Sequence, residues 1–181
     1  MGCRFSLSVM SDDYVNLIIN ALKKINTENV WSKTDALSTT YRGKRTHVIE
    51  TLRTCFVNIN DFKTHITMEA TFSKGCPKDT FTVDKLIKDD LLNCPHKSFN
   101  VLAKIAFYPL GIADYMKHIE FALELAKKHE VFKEVSHYAT ELFGDVNKLF
   151  NYLNNLLCYA EENIEHFALQ VTMSVNSPTI I

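Results

Sequence analysis

Residues 65–73 have the sequence HITMEATFS, in which every second residue from Ile66 to Phe72 is apolar. An alternation of period two is typical of a β-strand with one buried face. The pattern returns 101 positions later, where residues 166–174 have the sequence HFALQVTMS. We therefore expect the chain to contain two units that end in the same kind of strand.

The shift of 101 positions also aligns the rest of the two units. It gives thirteen identical pairs over positions 13 to 77, whereas typical residue frequencies would give about four by chance. In the first copy the paired residues are Asp13, Tyr14, Ile18, Ala21, Leu22, Val30, Thr39, Gly43, Leu52, His65, Thr71, Ser73 and Pro77. The first strands need a shift of 100, which aligns residues 5–7 with 105–107. A repeat of about 75 residues is the size of a small domain.

Both copies have the same order of predicted elements. In the first copy, residues 5–9 alternate as a strand, and an amphipathic helix follows Ser11-Asp12-Asp13, whose side chains we expect to cap it. Residues 30–34 and 37–42 are predicted strands, which Gly43 separates from a second helix. One face of that helix carries Val48, Ile49, Leu52, Cys55, Phe56 and Ile59. The final strand completes a βαββαβ unit.

The predicted fold class is α+β, with two tandem ferredoxin-like units whose antiparallel sheets carry helices on one face. We place the first unit at residues 1–77, a connector at 78–101 and the second unit at 102–181. The connector is predicted to contain a helical turn near residues 83–92. Strict alternation leaves the other sheet face polar, so a second copy, another chain or a ligand could pack there. The polar residues on that face are Ser6, Ser8, Thr67, Glu69 and Thr71.

The composition excludes several classes of function. The 181 residues include 20 Lys and Arg against 21 Asp and Glu, a net charge of −1, which lacks the basic surplus of a nucleic-acid-binding protein. The five cysteines form no Cys-x-x-Cys pair and favour reduced thiols in the cytoplasm. No uncharged run approaches the roughly 18 residues of a membrane span, so we expect no membrane insertion.

The sequence gives no positive support for catalysis. It has no glycine-rich phosphate loop, no His-Glu-x-x-His and no Gly-x-Ser-x-Gly motif. His65 and His166 correspond in the repeat but have no acid or second metal donor in helical or strand reach, which favours a structural role. Cys76 is interpreted as a turn residue at a strand exit, and Asp12 and Asp13 as helix caps rather than metal ligands. We therefore expect a non-enzyme without a metal or cofactor.

Thr39 and Thr140 correspond in the repeat, each on a predicted inner strand beside the first strand of its unit. A hydroxyl both donates and accepts hydrogen bonds, so together with strand backbone it could bind the edge of a small heterocycle. The preference of threonine for strands explains the pair equally well. The pattern alone leaves both interpretations open.

Several motifs of the two copies, taken together, resemble one known family. In the first copy they are CRFSL (3–7), MSDD (10–13), VWSKTD (30–35), ST (38–39), RG (42–43), HITM (65–68) and TFSKGCP (71–77). In the second copy they are FYPL (107–110), DYM (114–116), HYATEL (137–142), GD (144–145) and VNSP (175–178). Over almost the whole chain apart from the connector, the sequence resembles the YkoF-type thiamin and hydroxymethylpyrimidine-binding proteins.

This resemblance implies a homodimer of tandem ferredoxin-like chains, with one pocket in each unit for the pyrimidine part of thiamin. It also implies a role in uptake or salvage of the pyrimidine precursor, with a precursor transport system as a possible partner. By this likeness Leu7 and Thr39 belong to the first pocket, and Phe107 and Thr140 to the second. The neighbouring candidates are Ser6 and Ser38, with Trp31, Tyr41, Tyr108 and Tyr138 as aromatic walls.

The first copy departs from the family pattern after its first strand. It has Ser8-Val9-Met10 where the family has Tyr-Pro-Met, whereas the second copy keeps Tyr108-Pro109. We therefore expect two sites of unequal affinity. Two other classes stay open: an enzyme of thiamin or pyrimidine metabolism that uses His65, His166 or a cysteine, and a regulatory module with vestigial pockets whose polar sheet face binds a protein.

Overall fold

A computed structural model describes residues 1–75 and 97–179 of the chain. The strand exit at Cys76 and the predicted turn near residues 83–92 lie outside the described residues. Within the described part, both copies show the predicted order of strand, helix, two strands, helix and strand. The tandem βαββαβ architecture is therefore confirmed.

The elements of the first repeat are β1 (Gly2–Val9), α1 (Tyr14–Leu22), β2 (Trp31–Thr34), β3 (Thr39–Arg42), α2 (Arg45–Ile59) and β4 (Ile66–Lys74). Those of the second repeat are β5 (Asn100–Leu110), α3 (Tyr115–Lys128), β6 (Phe132–Ser136), β7 (Ala139–Asp145), α4 (Val146–Asn163) and β8 (His166–Val175). Strand β5 begins at Asn100, so the last two positions of the predicted connector belong to a strand.

The strands of the two repeats form one antiparallel sheet with the order β2-β3-β1-β4-β8-β5-β7-β6. Strands β4 and β8 join the repeats, in continuous register from Ile66 opposite Val175 to Lys74 opposite Phe167. Each repeat thereby protects the edge strand of the other from pairing elsewhere. The two units are halves of one sheet rather than independent domains.

The four helices of the described residues form one layer, in which α2 and α4 contact each other and α1 and α3 lie outside them. All six residues predicted for the apolar face of α2 are buried. Polar contacts between the repeats reinforce this layer: Arg45 Nε binds Glu161 at 3.1 Å, and Arg53 binds Asn147. Burial of both repeats in one core makes their folding interdependent.

Of the predicted capping residues of the first helix, Ser11 accepts a backbone amide: its Oγ accepts a hydrogen bond of 3.2 Å from the Asp13 amide. Asp13 occupies the N-cap position of α1, but its carboxylate accepts a hydrogen bond from the Asn16 side chain and none from a backbone amide. In the described chain the capping carboxylate is Asp145, which accepts hydrogen bonds from the Asn147 and Lys148 amides at the start of α4. The sequence pattern predicted the start of α1 but not the hydrogen-bond partner of the Asp13 carboxylate.

The identical glycines of the repeat lie where the chain at the end of the inner strand comes close to the segment that follows the first helix. A Cβ atom on Gly43 would lie 3.1 Å from the Asn29 carbonyl oxygen, and one on Gly144 would lie 3.3 Å from Val131 Cγ1. Both glycines pass the chain segment that follows the first helix of their repeat. The repeat therefore keeps glycine where a side chain would separate the inner strand from that segment.

Candidate functional site

Strand β5 extends beyond its inner neighbour. It pairs with β8 as far as Leu110 opposite His166, but with β7 only as far as Ile105 opposite Thr140. Residues 106–110 therefore have a strand on one side and a gap on the other. A strand edge that faces a gap offers its backbone groups to a ligand.

The backbone of Phe107 faces this gap. The Phe99 carbonyl accepts a hydrogen bond of 2.9 Å from the Val146 amide, which directly follows β7. Backbone groups of an antiparallel strand alternate between its two neighbours, so every second residue from Phe99 onward faces the β7 side. Phe107 and Pro109 belong to this set, and the missing N–H of Pro109 is tolerated because no strand pairs with it there.

A cavity of about 480 Å³ opens at the gap, between the end of β5, helix α3 and the β6–β7 hairpin. Its lining residues are Ile105, Ala106, Phe107, Tyr108, Pro109, Leu110, Tyr115, Ile119, Ala122, Val135, Ser136, Tyr138, Ala139 and Thr140. None of these residues is charged, and hydroxyl and backbone groups supply the polar atoms. The cavity has the size and the mainly apolar lining of a small-molecule site.

Aromatic side chains surround the cavity from its floor to its mouth. Phe107 is buried and packs edge-on against Phe167, with 6.1 Å between ring centroids. Tyr108 and Tyr115 are 44% and 48% exposed, and Tyr138 at the hairpin tip is 97% exposed. These tyrosines lie at the solvent side, where their rings are free to contact a bound molecule.

The structure brings together all four residues that the sequence assigned to the second pocket, namely Phe107, Thr140, Tyr108 and Tyr138. The sequence interpretation missed the α3 wall, formed by Tyr115, Ile119 and Ala122, and it missed Leu110, Val135 and Ser136. The repeat held the signal for α3, because these three residues and Thr140 are four of the thirteen positions identical between the copies. Four of the thirteen identities between the copies therefore lie on this site.

The first repeat has the same strand geometry. Strand β1 pairs with β4 as far as Val9 opposite Ile66, but with β3 only as far as Phe5 opposite Thr39. The Met1 carbonyl accepts a hydrogen bond of 3.1 Å from the Gly43 amide, on the β3 side. By the same alternation, the backbone of Leu7 faces the gap beyond β3. Leu7 and Thr39 therefore correspond in place to Phe107 and Thr140.

The side chains around the first gap are more polar. Thr39 Oγ1 lies 2.9 Å from Thr34 Oγ1, whereas the residue in the position of Thr34 in the second repeat is Val135. Ser38 donates its amide to Asp35 Oδ1 at 2.9 Å within the hairpin turn. Ser6 corresponds to Ala106, which lines the second cavity.

Two predicted aromatic walls of the first pocket lie elsewhere. Tyr41 is 2% exposed and packs in the core against Phe5, with 5.0 Å between ring centroids, and burial raises the pKa of its phenol. Trp31 pairs with Arg42, at the end of the hairpin opposite the Thr34–Thr39 pair. The structure therefore does not bring Tyr41 or Trp31 to the gap beside Leu7.

The residues considered for catalysis have structural surroundings. His65 Nε2 lies 3.0 Å from Ser174 Oγ, which links the two repeats beside the β4–β8 junction. Burial raises the pKa of the Cys55 thiol to about 12 and also raises that of Cys3, so both thiols are protonated at neutral pH. Among residues 1–75 and 97–179, no group of three or more His, Cys, Asp or Glu could hold a metal ion.

The fold and the site define a class: two fused ferredoxin-like units, each with an unpaired strand end, and a mainly apolar cavity at the second of these. The family model described as "YKOF-related Family" matches residues 1–79 and 100–180, which correspond to the two repeats. The chain is 36% identical over 184 residues to the "Putative HMP/thiamine-binding protein YkoF" of Bacillus subtilis (strain 168), covering 98% of this chain and 91% of that protein. The chain belongs to the YkoF-related family. No helix in the described part of the chain is long and apolar enough to cross a membrane.

Proposed function

We propose that this protein binds thiamin or its hydroxymethylpyrimidine part without converting it, with one site at the strand end of each repeat. The observation that carries the proposal is the cavity of about 480 Å³ where the backbone edge of Phe107 and the Thr140 hydroxyl meet aromatic walls. The name of the Bacillus subtilis relative supports the same ligand class.

The hydrogen-bonding pattern of a 4-aminopyrimidine matches this edge. The exocyclic amine donates to the Phe107 carbonyl, and the adjacent ring nitrogen accepts from the Phe107 amide. The second ring nitrogen accepts from the Thr140 hydroxyl. A site that pairs each polar atom of a ligand discriminates strongly against molecules that lack one of them.

The aromatic residues suit the rest of the molecule. A pyrimidine ring gains from contact with the apolar walls, and the cationic thiazolium ring of thiamin gains about 0.5–2 kcal/mol from a tyrosine face. Tyr108, Tyr115 and Tyr138 are the lining residues that supply such faces. A binding role fits better than catalysis, because the lining contains no charged residue, histidine or cysteine to serve as acid, base or nucleophile.

The biological setting belongs to the same proposal. We assign the protein to uptake or salvage of the pyrimidine precursor in the cytoplasm, as a homodimer that cooperates with a precursor transport system. The resemblance to the family supports this assignment. The sheet face opposite the helices, which carries Ser8, Glu69 and Thr172, is a surface on which a second copy can pack.

The test is isothermal titration of the full chain with thiamin and, separately, with hydroxymethylpyrimidine. Thr140→Val removes a hydroxyl that pairs with the ligand, and we expect it to weaken the second site by about 1–3 kcal/mol, or roughly 5- to 150-fold. Thr39→Val tests the first site in the same way. Thr27→Val, in the exposed segment between α1 and β2, is the matched control and should leave both sites unchanged.

Two results would contradict the proposal. Absence of binding heat with both ligands would remove the ligand assignment. Chromatographic detection of a product after incubation with thiamin would remove the non-catalytic part.

A further inference from the structure

The cavity of the second repeat continues outward along the β6–β7 hairpin. A second hollow of about 450 Å³ is lined by Glu134, Val135, Ser136 and His137, and it shares Val135 and Ser136 with the main cavity. A ligand longer than one ring that binds with its inner end at Phe107 and Thr140 therefore extends toward Glu134.

Among the residues that line the two hollows, Glu134 is the one carboxylate, and none is a lysine or an arginine. Glu134 has no cationic partner among the described residues, so its charge is available to a ligand. The lysines on neighbouring elements bind other carboxylates: Lys117 binds Asp114 on α3, and Lys104 and Lys133 share Glu141 at 2.8 and 3.6 Å. His137 is the other titratable residue that lines the exit.

We propose that the second-repeat site selects the unphosphorylated, cationic form of its ligand, with Glu134 as the specificity-determining residue. This inference rests on the proposed function. The pyrimidine occupies the inner cavity, the thiazolium cation lies toward Glu134, and the hydroxyethyl group that carries the phosphate in thiamin esters points to the exit. A phosphate adds a charge of about −1.5 to −2 at that end, where neither hollow is lined by a lysine or an arginine to bind it.

The first repeat provides an internal contrast. The residue in the position of Glu134 is Lys33, which occupies the same place in its hairpin because Lys33 pairs with Thr40 and Glu134 with Glu141. The sign of the charge at this position is therefore opposite in the two repeats. Like-charge contacts suppress the wrong partner in recognition sites, so the two sites should rank phosphate esters differently.

The experiment titrates thiamin, thiamin monophosphate and hydroxymethylpyrimidine into the full chain carrying Thr39→Val, which weakens the first site. We expect the monophosphate to bind at least about tenfold more weakly than thiamin. Glu134→Lys should reduce this ratio to about threefold or less, and Glu134→Gln should give an intermediate ratio. Hydroxymethylpyrimidine, which is neutral and short, should bind equally to all three proteins.

Glu124→Gln is the matched control, because Glu124 is an exposed carboxylate of α3 that is paired with Lys127 and does not line the cavity. It should leave the ratio between thiamin and its ester unchanged. Equal binding of thiamin and the monophosphate to the Thr39→Val protein would overturn the inference alone. An unchanged ratio in Glu134→Lys would overturn the role of Glu134. Absence of binding by thiamin and hydroxymethylpyrimidine alike would overturn the proposed function together with the inference.

Discussion

The two strand-end sites share a backbone and differ in side chains. In both repeats the first strand extends several residues beyond its inner neighbour. One backbone edge of this strand end is therefore unpaired, at Leu7 in one repeat and at Phe107 in the other. The aromatic walls at Tyr108 and Tyr138 are replaced in the first repeat by Ser8 and Leu37. The fold therefore preserves the hydrogen-bonding edge, and the side chains around it set what each site accepts.

The second repeat also has the longer elements. Strand β5 has 11 residues and α3 has 14, whereas β1 has 8 and α1 has 9. A longer strand and a longer helix place more residues around the gap, and residues of both β5 and α3 line the cavity of the second repeat. We therefore expect the second repeat to be the stronger site.

The largest effect on stability is expected where the two repeats leave their last strands. Gly75 has φ +88°, and a Cβ atom there would lie 2.9 Å from the Glu165 carbonyl oxygen. Asn176, its counterpart, also has positive φ, and its side chain donates to Asn60 and to the Thr64 carbonyl. Gly75→Ala adds strain and a backbone clash, and should lower the free energy of unfolding by about 2–4 kcal/mol.

Urea unfolding checks this prediction, with Asn176→Gly as the comparison. That variant keeps the backbone conformation accessible and loses only the side-chain hydrogen bonds, which should cost about 1 kcal/mol. A larger loss of unfolding free energy in Asn176→Gly than in Gly75→Ala would contradict the prediction that the clash with the Glu165 carbonyl oxygen dominates.

Exchange of the aromatic wall residues should weaken thiamin binding in one repeat and strengthen it in the other. Tyr108→Ser with Tyr138→Leu gives the second site the walls of the first, and should weaken binding of thiamin there by about 1–2 kcal/mol, roughly 5- to 30-fold. The reverse exchange, Ser8→Tyr with Leu37→Tyr, should strengthen binding of thiamin at the first site. Titration calorimetry with thiamin measures both. Unchanged affinities in the two double variants would place the difference between the sites in the backbone rather than in the walls.

The paired glycines should differ in their tolerance of a methyl group. Gly43→Ala meets a backbone oxygen at 3.1 Å, which cannot move without shifting the chain, and should destabilise by about 1–2 kcal/mol. Gly144→Ala meets a valine methyl at 3.3 Å, a longer contact that involves a side chain instead of the backbone, and should cost less than about 1 kcal/mol. Thermal unfolding of the two variants measures the difference, and equal losses would contradict the distinction.

The smallest effect concerns the helix cap that only the second repeat has. Asp145 caps α4 through its carboxylate, whereas Lys44 at the start of α2 makes no side-chain cap. Asp145→Ala should therefore destabilise the protein by about 1 kcal/mol at pH 7. Asp145→Asn, which retains a capping oxygen, should lose much less.

The Asp145 cap also has a defined pH dependence. Desolvation alone would raise the pKa of Asp145, but hydrogen bonds from Ser98 and the Asn147 amide outweigh it and hold the pKa below its ordinary value. Because the folded pKa is lowered, the stabilisation is complete above the unfolded value of about 3.9 and is lost as pH falls through the folded pKa. Denaturant unfolding between pH 2 and 7 should show a smaller slope in Asp145→Asn. An equal slope in the wild type and this variant would assign the acid sensitivity to other carboxylates.

Much of the site could be predicted from the sequence, because its determinants are local. The correspondence of Thr39 with Thr140 and of Leu7 with Phe107 follows from the repeat, and the structure places both pairs at the strand ends. Tyr41 could not be excluded in the same way. Tyr41 and Thr39 lie on the same face of β3. Tyr41, two residues beyond Thr39, is buried in the core, and only the tertiary packing reveals this burial.

The sequence by itself determined the elements and their order, since a period of two or of three to four depends only on neighbouring residues. It also determined that the chain contains two copies of one unit. Tertiary structure alone decided that β4 and β8 pair and join the repeats into one sheet. It also decided that β5 extends beyond its pairing with β7, and that Ile119 of α3 and Thr140 line the same cavity. These features depend on register and on contacts between residues far apart in the chain, which no local pattern encodes.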